Sequence, residues 1–436
     1  MVQERNNKYL AQYMGLLIAV LGGWGFISLA TKQLATAPYV RYLNILETIF
    51  MTASVILILL YLLYWSISHR LYKGIKYAFS HAKMRRNVRL ALLDADYYYS
   101  KQYSGEDTVA VLPKVKITFE KDLSRGKLYI KNHLRIQKRL EDKDISSALG
   151  KYITEQQYST DDGNWSVWEF EDSSVNNQLI FNSYNEFVKY SRQFSDYELF
   201  MDRKTVVPLA SLLLVGATGS GKTYSLYSLI LQMLNWEHKP ILFFADPKAS
   251  SLSVLGKKIS PEFTAENIEH IIELLELFVS QMEKRKENLQ ECLETKLDSD
   301  YRDFGFEPAI FIIDEFSAFQ AFINTMEKKT RDKVAMLLRS VILQGRQLGF
   351  FMFICMQKSD SSDIPTAIRD NMIWKCVLSN ATRTTYITAF EESADLPKRK
   401  FSAGQGLYSY QGITRQPQIV SFPTLNFDIQ RVIYKE

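Results

Sequence analysis

The chain has 436 residues, of which 47% are hydrophobic and 23% charged, with a net charge of +5. That length and apolar content allow two or three domains with buried cores, and so mild a basic excess names no partner by itself. Cys292, Cys355 and Cys376 have no Cys-x-x-Cys spacing and the five histidines no metal-ligand spacing. No zinc site is read from them, and with two of the cysteines in apolar runs they read as reduced core thiols of a reducing compartment.

Two apolar segments open the chain. Tyr9 to Ala30 and Thr48 to Ile67 contain no Asp, Glu, Lys or Arg, and each has the length of a helix that crosses a bilayer. The first is too long for a signal peptide and a second span follows, so the pair reads as a transmembrane hairpin with spans about 9–30 and 48–67. Arg70, Lys73, Lys76, Lys83, Arg85, Arg86 and Arg89 follow, with no acidic residue from His69 to Leu93. The positive-inside rule places that side, and the N-terminus with Arg5 and Lys8, in the cytoplasm. The loop between the spans, about 31–44, becomes a short external turn. The basic segment also suits anionic lipid or nucleic acid, but topology alone accounts for it. Ala11, Gly15, Ala19 and Gly23 form a small-residue stripe, read first as packing within the hairpin and second as a subunit contact.

The next stretch changes texture. Val115–Phe119 and Lys127–Ile130 alternate like strands, Trp165–Phe170 reads as another, Leu134–Leu149 has helical spacing, and Asp161-Asp162-Gly163-Asn164 marks a turn. This predicts a small α+β domain without a catalytic constellation. Tyr97-Tyr98-Tyr99 reads as packing.

From Leu209, apolar runs alternate with helical segments. Leu212–Val215, Ile241–Ala245, Pro308–Ile313 and Phe350–Cys355 are expected strands, and Lys375–Leu378 and Gly406–Tyr408 look like further ones. Such continuous apolar strands indicate a buried, mostly parallel sheet with functional groups at the strands' carboxyl ends. The first run leads into Gly216-Ala217-Thr218-Gly219-Ser220-Gly221-Lys222-Thr223, and an amphipathic segment follows. Strand, G-x-x-x-x-G-K-T and helix together make a phosphate loop. Backbone N–H groups and the helix N-terminus cradle phosphates, Lys222 reaches the β- and γ-phosphates, and Thr223 holds Mg²⁺. The implied cofactors are ATP and Mg²⁺.

The third strand ends in Phe311-Ile312-Ile313-Asp314-Glu315, a Walker B pattern. Asp314 is the candidate for the Mg²⁺ shell and Glu315 for orienting or deprotonating the attacking water. The fourth ends at Gln357, either a sensor of the γ-phosphate or a turn-capping amide.

Together these residues resemble the FtsK/SpoIIIE family of RecA-like DNA translocases over about 209–422. The pieces occur in family order: the phosphate loop; Asp246-Pro247-Lys248 with Leu252-Ser253; Met282-Glu283-Lys284-Arg285 ending a helix; Asp314-Glu315-Phe316; Gly345-Arg346-Gln347-Leu348-Gly349; Gln357; Ile368-Arg369-Asp370-Asn371; and Ala403-Gly404-Gln405-Gly406-Leu407-Tyr408. Lys358-Ser359 stands where the family usually has Arg-Pro, and the element around Gly404 lacks its usual aspartate. No winged-helix module follows the motor, which argues against reading of chromosomal polarity signals. The expected division is a transmembrane hairpin at 1–68, a basic juxtamembrane segment and small α+β domain at 69–200, and a RecA-like ATPase domain at 201–436.

A short anchor, a small domain and a single motor look most like the TcpA-like coupling proteins of Gram-positive conjugative elements. That resemblance implies a membrane-anchored hexamer feeding DNA, as a relaxase-linked single strand, to a type IV secretion channel. It also implies an arginine supplied by a neighbouring subunit: Arg346 first, Arg383 and Arg339 next, with a helix-end salt bridge as the other reading of Arg346. DNA would be held through its phosphates, without sequence preference. Lys257-Lys258 and Lys398-Arg399-Lys400 read as solvated loops before pore contacts. The competing readings are a DNA segregation motor, an ATPase driving protein export, and a membrane scaffold whose nucleotide site only gates assembly.

Overall fold

The computed structural model describes residues 3–34, 38, 40–102, 108–133, 136, 146–293, 296, 299–358, 364–390, 400–414 and 416–433. The chain divides into two compact units, Met1–Val175 and Asn176–Glu436.

The first unit opens with helices α1 (Arg5–Gln33) and α2 (Val40–Ser68). Within them Gln12–Gln33 and Val40–Ser68 are long and apolar enough to cross a membrane. Both helices extend past the expected spans, so much of the expected 31–44 turn is helical. The Tyr13 and Tyr61 rings stack at 5.9 Å across the pair. A Cβ on Gly23 would lie 2.5 Å from the Phe50 ring, whereas one on Gly15 meets nothing within 4 Å. Gly23 thus packs inside the hairpin and Gly15 does not; the Ala11 side chain lies outside the described residues.

Helix α3 (Ile75–Asp94) follows and covers one face of an antiparallel sheet. The strands are β1 (Val115–Phe119), β2 (Arg125–Lys131), β3 (Tyr152–Ser159) and β4 (Trp165–Asp172), in the order β1-β2-β4-β3. Period-two alternation sends Ile117, Phe119, Leu128, Ile130, Trp168 and Phe170 to one face, against Tyr77, Met84, Val88 and Leu92 of α3. Tyr97 is buried in this core and Tyr99 stacks on His133 at 4.6 Å, so the tyrosine run does pack. Most of the expected 134–149 helix lies outside the described residues; Ser146–Leu149 is helical.

The second unit begins at Asn176, not at 201. Ile180–Phe181 pairs with Thr424–Leu425, and Glu198–Phe200 pairs with Val206–Pro208. Buried Gln232 then accepts from Phe200 N at 2.9 Å and donates to Phe200 O at 3.0 Å. These bonds, with the cluster Leu179, Phe181, Phe187, Phe200, Leu231 and Leu425, assign residues 176–200 to the motor.

The motor's eight-stranded sheet uses β5 (Leu212–Gly216), β6 (Ile241–Ala245), β7 (Thr264–Ala265), β8 (Ala309–Ile313), β9 (Phe350–Met356), β10 (Trp374–Leu378), β11 (Gln405–Tyr410) and β12 (Gln418–Ser421). The order is β7-β6-β8-β9-β5-β10-β11-β12, parallel except for β11 and β12, which join antiparallel. One strand, β9, stands between the phosphate-loop strand and the Asp314–Glu315 strand, the RecA-like arrangement. Helices α4 (Lys222–Leu234) and α5 (Ser251–Ile259) cover one face, where Leu226, Leu229, Ile230 and Leu252 meet Leu212, Leu214, Phe244 and Ile312. On the other face lies α6 (Ile268–Leu293), whose Phe278 ring contacts Phe243, Phe311 and Phe350 at 5.0, 5.5 and 5.0 Å. Both faces being covered explains why β5, β6, β8 and β9 read apolar throughout.

Helix α6 runs eight residues past Arg285, so the Met282–Arg285 element does not end a helix. Arg285 donates to the carbonyls of Glu307 at 2.8 Å and Leu348 at 3.0 Å, and its guanidinium lies 4.6 Å from the Phe350 ring centre. It ties α6 to the end of α8 (Lys328–Leu348), which comes after α7 (Phe316–Thr325).

Candidate active site

The strand registers align five carboxyl ends. Ala245 pairs with Ile313, Ile313 with Ile354, Val215 with Met356, and Gly216 with Leu378. The loops leaving these strands therefore converge on one edge of the sheet. Three residues there have left-handed backbone despite carrying side chains: Ala249 (φ 49°), Glu315 (φ 53°) and Ser379 (φ 62°). Such strain persists only where the surroundings impose it, and it clusters at functional sites.

The loop 216–223 leaves β5 and enters α4. Gly219 and Gly221 have φ of 81° and 91°, and Ser220 N donates back to Ala217 O at 2.9 Å. Ala217, Thr218 and Gly219 are exposed, while the Ser220 hydroxyl is buried and without a partner. Gly404 N donates to Ser220 O at 2.7 Å, which packs the 403–406 segment against the loop. Thr223 lies in the first turn of α4.

Lys222 faces the carboxylates. Its Nζ is 3.1 Å from Asp314 Oδ1 and 3.8 Å from Glu315 Oε2. Burial works against the ammonium, yet Asp314 and Glu315 hold its pKa above the ordinary lysine value. Burial pushes the neighbouring Cys355 thiol up, so it carries no charge. Cys376 is equally buried and likewise raised. The two cysteines flank Leu214 from opposite sides, as free core thiols.

Glu315 has a second ammonium neighbour that sequence reasoning missed. Lys248 Nζ lies 3.3 Å from Glu315 Oε2. The preceding Asp246 is fully buried and accepts from Ser250 N at 2.7 Å, Ser250 Oγ at 2.8 Å, Ser253 N at 3.1 Å and Lys248 N at 3.2 Å. Asp246 thereby caps α5 and folds the turn that delivers Lys248 to Glu315. Adjacency of β6 and β8 creates this contact, and no local pattern encodes it; the Asp-Pro-Lys spacing after a buried strand was the available signal. Lys248→Ala should lower kcat for ATP about 10- to 100-fold through misplacement of Glu315, with KM little changed and Lys248→Arg retaining most activity. A raised KM with unchanged kcat would instead put Lys248 on the nucleotide.

The remaining expected residues divide. Gln357 immediately follows β9 between the two strands that carry the site, and is exposed. Arg346 does not join this constellation in its own chain. It is exposed in the last turn of α8, just before β9 begins, and so lies at the opposite end of that strand, roughly 20 Å away by strand rise. Arg383 is exposed at the start of a helix after β10, on the site's edge of the sheet, and Arg339 is exposed within α8. Lys257 pairs with Glu266 at 2.6 Å, and Lys398 and Arg399 lie outside the described residues.

The donor set fits a magnesium nucleotide. An N-terminus of a 13-residue helix, exposed loop N–H positions, an orphaned Ser220 hydroxyl and the half-buried Lys222 ammonium offer anion contacts. Asp314, partly exposed beside Thr223's turn, offers a hard oxygen ligand.

Comparison with known proteins agrees with this geometry. The model of the FtsK/SpoIIIE family matches residues 186–359. The FtsK domain-containing protein YdcQ of Bacillus subtilis (strain 168) is 24% identical over 198 residues, 45% of this chain and 40% of YdcQ. The chain thus spans well under half of that relative. Among solved structures, the pCW3 conjugation coupling protein TcpA, in monomer form with ATPγS, aligns with a TM-score of 0.49 at 14% identity, covering 81% of this chain and 99% of that one. The cytoplasmic domain of the type VII secretion ATPase EccC from Thermomonospora curvata aligns at 0.39 and 15% identity, covering 52% and 28%. Residues 186–359 thus match the FtsK/SpoIIIE family, and this part of the chain is a P-loop ATPase.

Proposed function

We propose that this protein is a membrane-anchored, ATP-driven DNA translocase that acts as a conjugative coupling protein, moving relaxase-linked single-stranded DNA to a type IV secretion channel. The observation that carries the motor reading is the convergence of Lys222, Asp314 and Glu315 at one sheet edge. The two apolar N-terminal helices support anchoring, with the motor and N-terminus on the cytoplasmic side. The coupling role rests on the resemblance of the whole architecture, two spans, a small domain and one motor, to the TcpA-like proteins.

Bound ATP and Mg²⁺ supply the γ-phosphoryl group and the cation that offsets its charge. The loop 216–223 would hold the phosphates, and Lys222 would supply a cation to them. Thr223 and Asp314 would hold the metal, and Glu315 would orient water and accept its proton. Gln357 senses the γ-phosphate. Arg346, remote from its own site, acts in the site of a neighbouring subunit of a hexamer.

The test is ATP turnover by the full chain in nanodiscs, with and without single- and double-stranded DNA at two salt concentrations. Stimulation by single strands that falls steeply with salt is expected. Turnover indifferent to DNA in assembled rings would overturn the DNA-motor reading in favour of protein export.

A further inference from the structure

Helix α3 has two faces of different use. Tyr77, Ala78, His81, Met84, Val88 and Leu92 are buried on the small domain's side. The outward stripe, at helical spacing, is Ile75, Lys76, Phe79, Lys83, Arg86 and Leu90, and exposed Tyr72 stands on the short turn Leu71–Lys73 just before it. The large apolar residues are strongly exposed, Tyr72 at 79%, Ile75 at 68% and Phe79 at 62%. Aromatic and aliphatic side chains interleaved with Lys and Arg, and no carboxylate from 69 to 93, match a helix that lies in a membrane interface.

Position fixes the occupant. The Trp65 ring near the end of α2 contacts the Phe79 ring at 5.4 Å. Arg85 donates to Ser68 Oγ at 3.1 Å, and the Nδ1 atoms of His69 and His81 are 3.1 Å apart. The middle of α3 is thus fastened across the last turn of the second candidate span, at the depth where tryptophan favours the headgroup boundary.

We infer that the outward face of α3 is a lipid-binding surface, seated on anionic phospholipid headgroups with Tyr72, Ile75 and Phe79 dipping to the acyl boundary and Lys73, Lys76, Lys83 and Arg86 pairing with the phosphates. This rests on the membrane-anchor reading. Charge alone suits nucleic acid equally; the exposed apolar residues and continuity with α2 favour lipid.

Spin labels test it on the full chain in nanodiscs of phosphatidylcholine, with or without phosphatidylglycerol. Cys292→Ser provides the labelling background, Cys355 and Cys376 being wholly buried. Labels go at Ile75→Cys and Phe79→Cys, with Leu59→Cys in α2 and Ile413→Cys on the motor surface as references. Positions 75 and 79 should be several-fold less accessible to a water-soluble nickel relaxant than 413. Replacing Lys73, Lys76, Lys83 and Arg86 with Gln should reduce that shielding, more in phosphatidylglycerol discs. Nickel access at 75 and 79 equal to that at 413, with 59 protected, overturns the lipid surface and leaves the anchor intact. Access at 59 as well overturns both. Shielding that requires added DNA rather than anionic lipid assigns the face to nucleic acid and overturns the inference.

Discussion

Glu315→Gln should lower kcat for ATP hydrolysis about 10²- to 10⁴-fold, the range for loss of a positioned general base, while nucleotide still binds. The Glu315 carboxylate is buried and held between Lys222 at 3.8 Å and Lys248 at 3.3 Å. An amide preserves its shape and removes the charge and basicity. Lys222→Ala should behave differently, because Lys222 is the site's most buried ammonium and contacts Asp314 at 3.1 Å. Its removal takes away the ammonium shared by Asp314 and Glu315, and Lys248, which contacts Glu315 only, does not replace it at Asp314. Affinity and turnover should fall together, with kcat down about 10²- to 10³-fold, as for other preorganised charge contacts. A fluorescent ATP analogue and steady-state hydrolysis separate the two. If Glu315→Gln binds nucleotide and still turns over at the parental rate, Glu315 is not the base. DNA transfer should be lost in both variants at normal abundance and membrane content.

Much of this site is legible in the sequence, and the physical reason is the parallel sheet. A strand buried on both faces must be apolar along its length, so Leu212–Gly216, Ala309–Ile313 and Phe350–Met356 stand out, and their first polar neighbours mark the carboxyl edge. Lys222, Asp314, Glu315 and Gln357 are readable in that way. Lys248 is not, because its partner is 67 positions away and is set by the pairing of Ala245 with Ile313. The boundary at Asn176 is hidden for the same reason: residues 176–200 form only short elements, the helix Tyr184–Ser191 and the strands Ile180–Phe181 and Glu198–Phe200, and gain their place from Gln232 and from the Thr424–Leu425 strand. Strand Tyr152–Ser159 escapes notice because its burial alternates poorly and its register is interrupted between Thr154 and Gln156. The Arg346 element is legible as a motif, but its helix geometry comes only with the fold. A Cβ on Gly345 would lie 2.2 Å from Phe350 O, so that glycine serves close packing of α8 on β9 while Arg346 beside it stays exposed.

Gly221→Ala should be the most damaging single-methyl change in the phosphate loop, and Gly219→Ala the instructive control. At Gly221 φ is 91°, and a Cβ would lie 2.4 Å from Gly404 N, 2.9 Å from Gly404 Cα and 3.2 Å from Ala403 C. All three obstacles are backbone, so no side chain can swing aside. The left-handed conformation costs about 1–2 kcal/mol for a residue with a Cβ, and forced overpacking adds roughly 1–3 kcal/mol. Gly219 has a similar φ of 81° but nothing within 4 Å, so only the conformational cost applies. The difference is transmitted beyond the loop. Gly404 N donates to Ser220 O at 2.7 Å, Phe422 N donates to Gly404 O at 2.7 Å, and Gln178 Nε2 donates to Phe422 O at 3.1 Å. Pushing Gly404 away therefore loosens the phosphate loop, the end of β12 and the segment at 178 together. Gly221→Ala should lower the unfolding temperature clearly more than Gly219→Ala and weaken ATP binding at least tenfold, on the order of 1.4 kcal/mol. Thermal unfolding with and without ATP, run on both variants, decides it. Equal stability and equal affinity would mean that the 403–406 segment does not brace the phosphate loop.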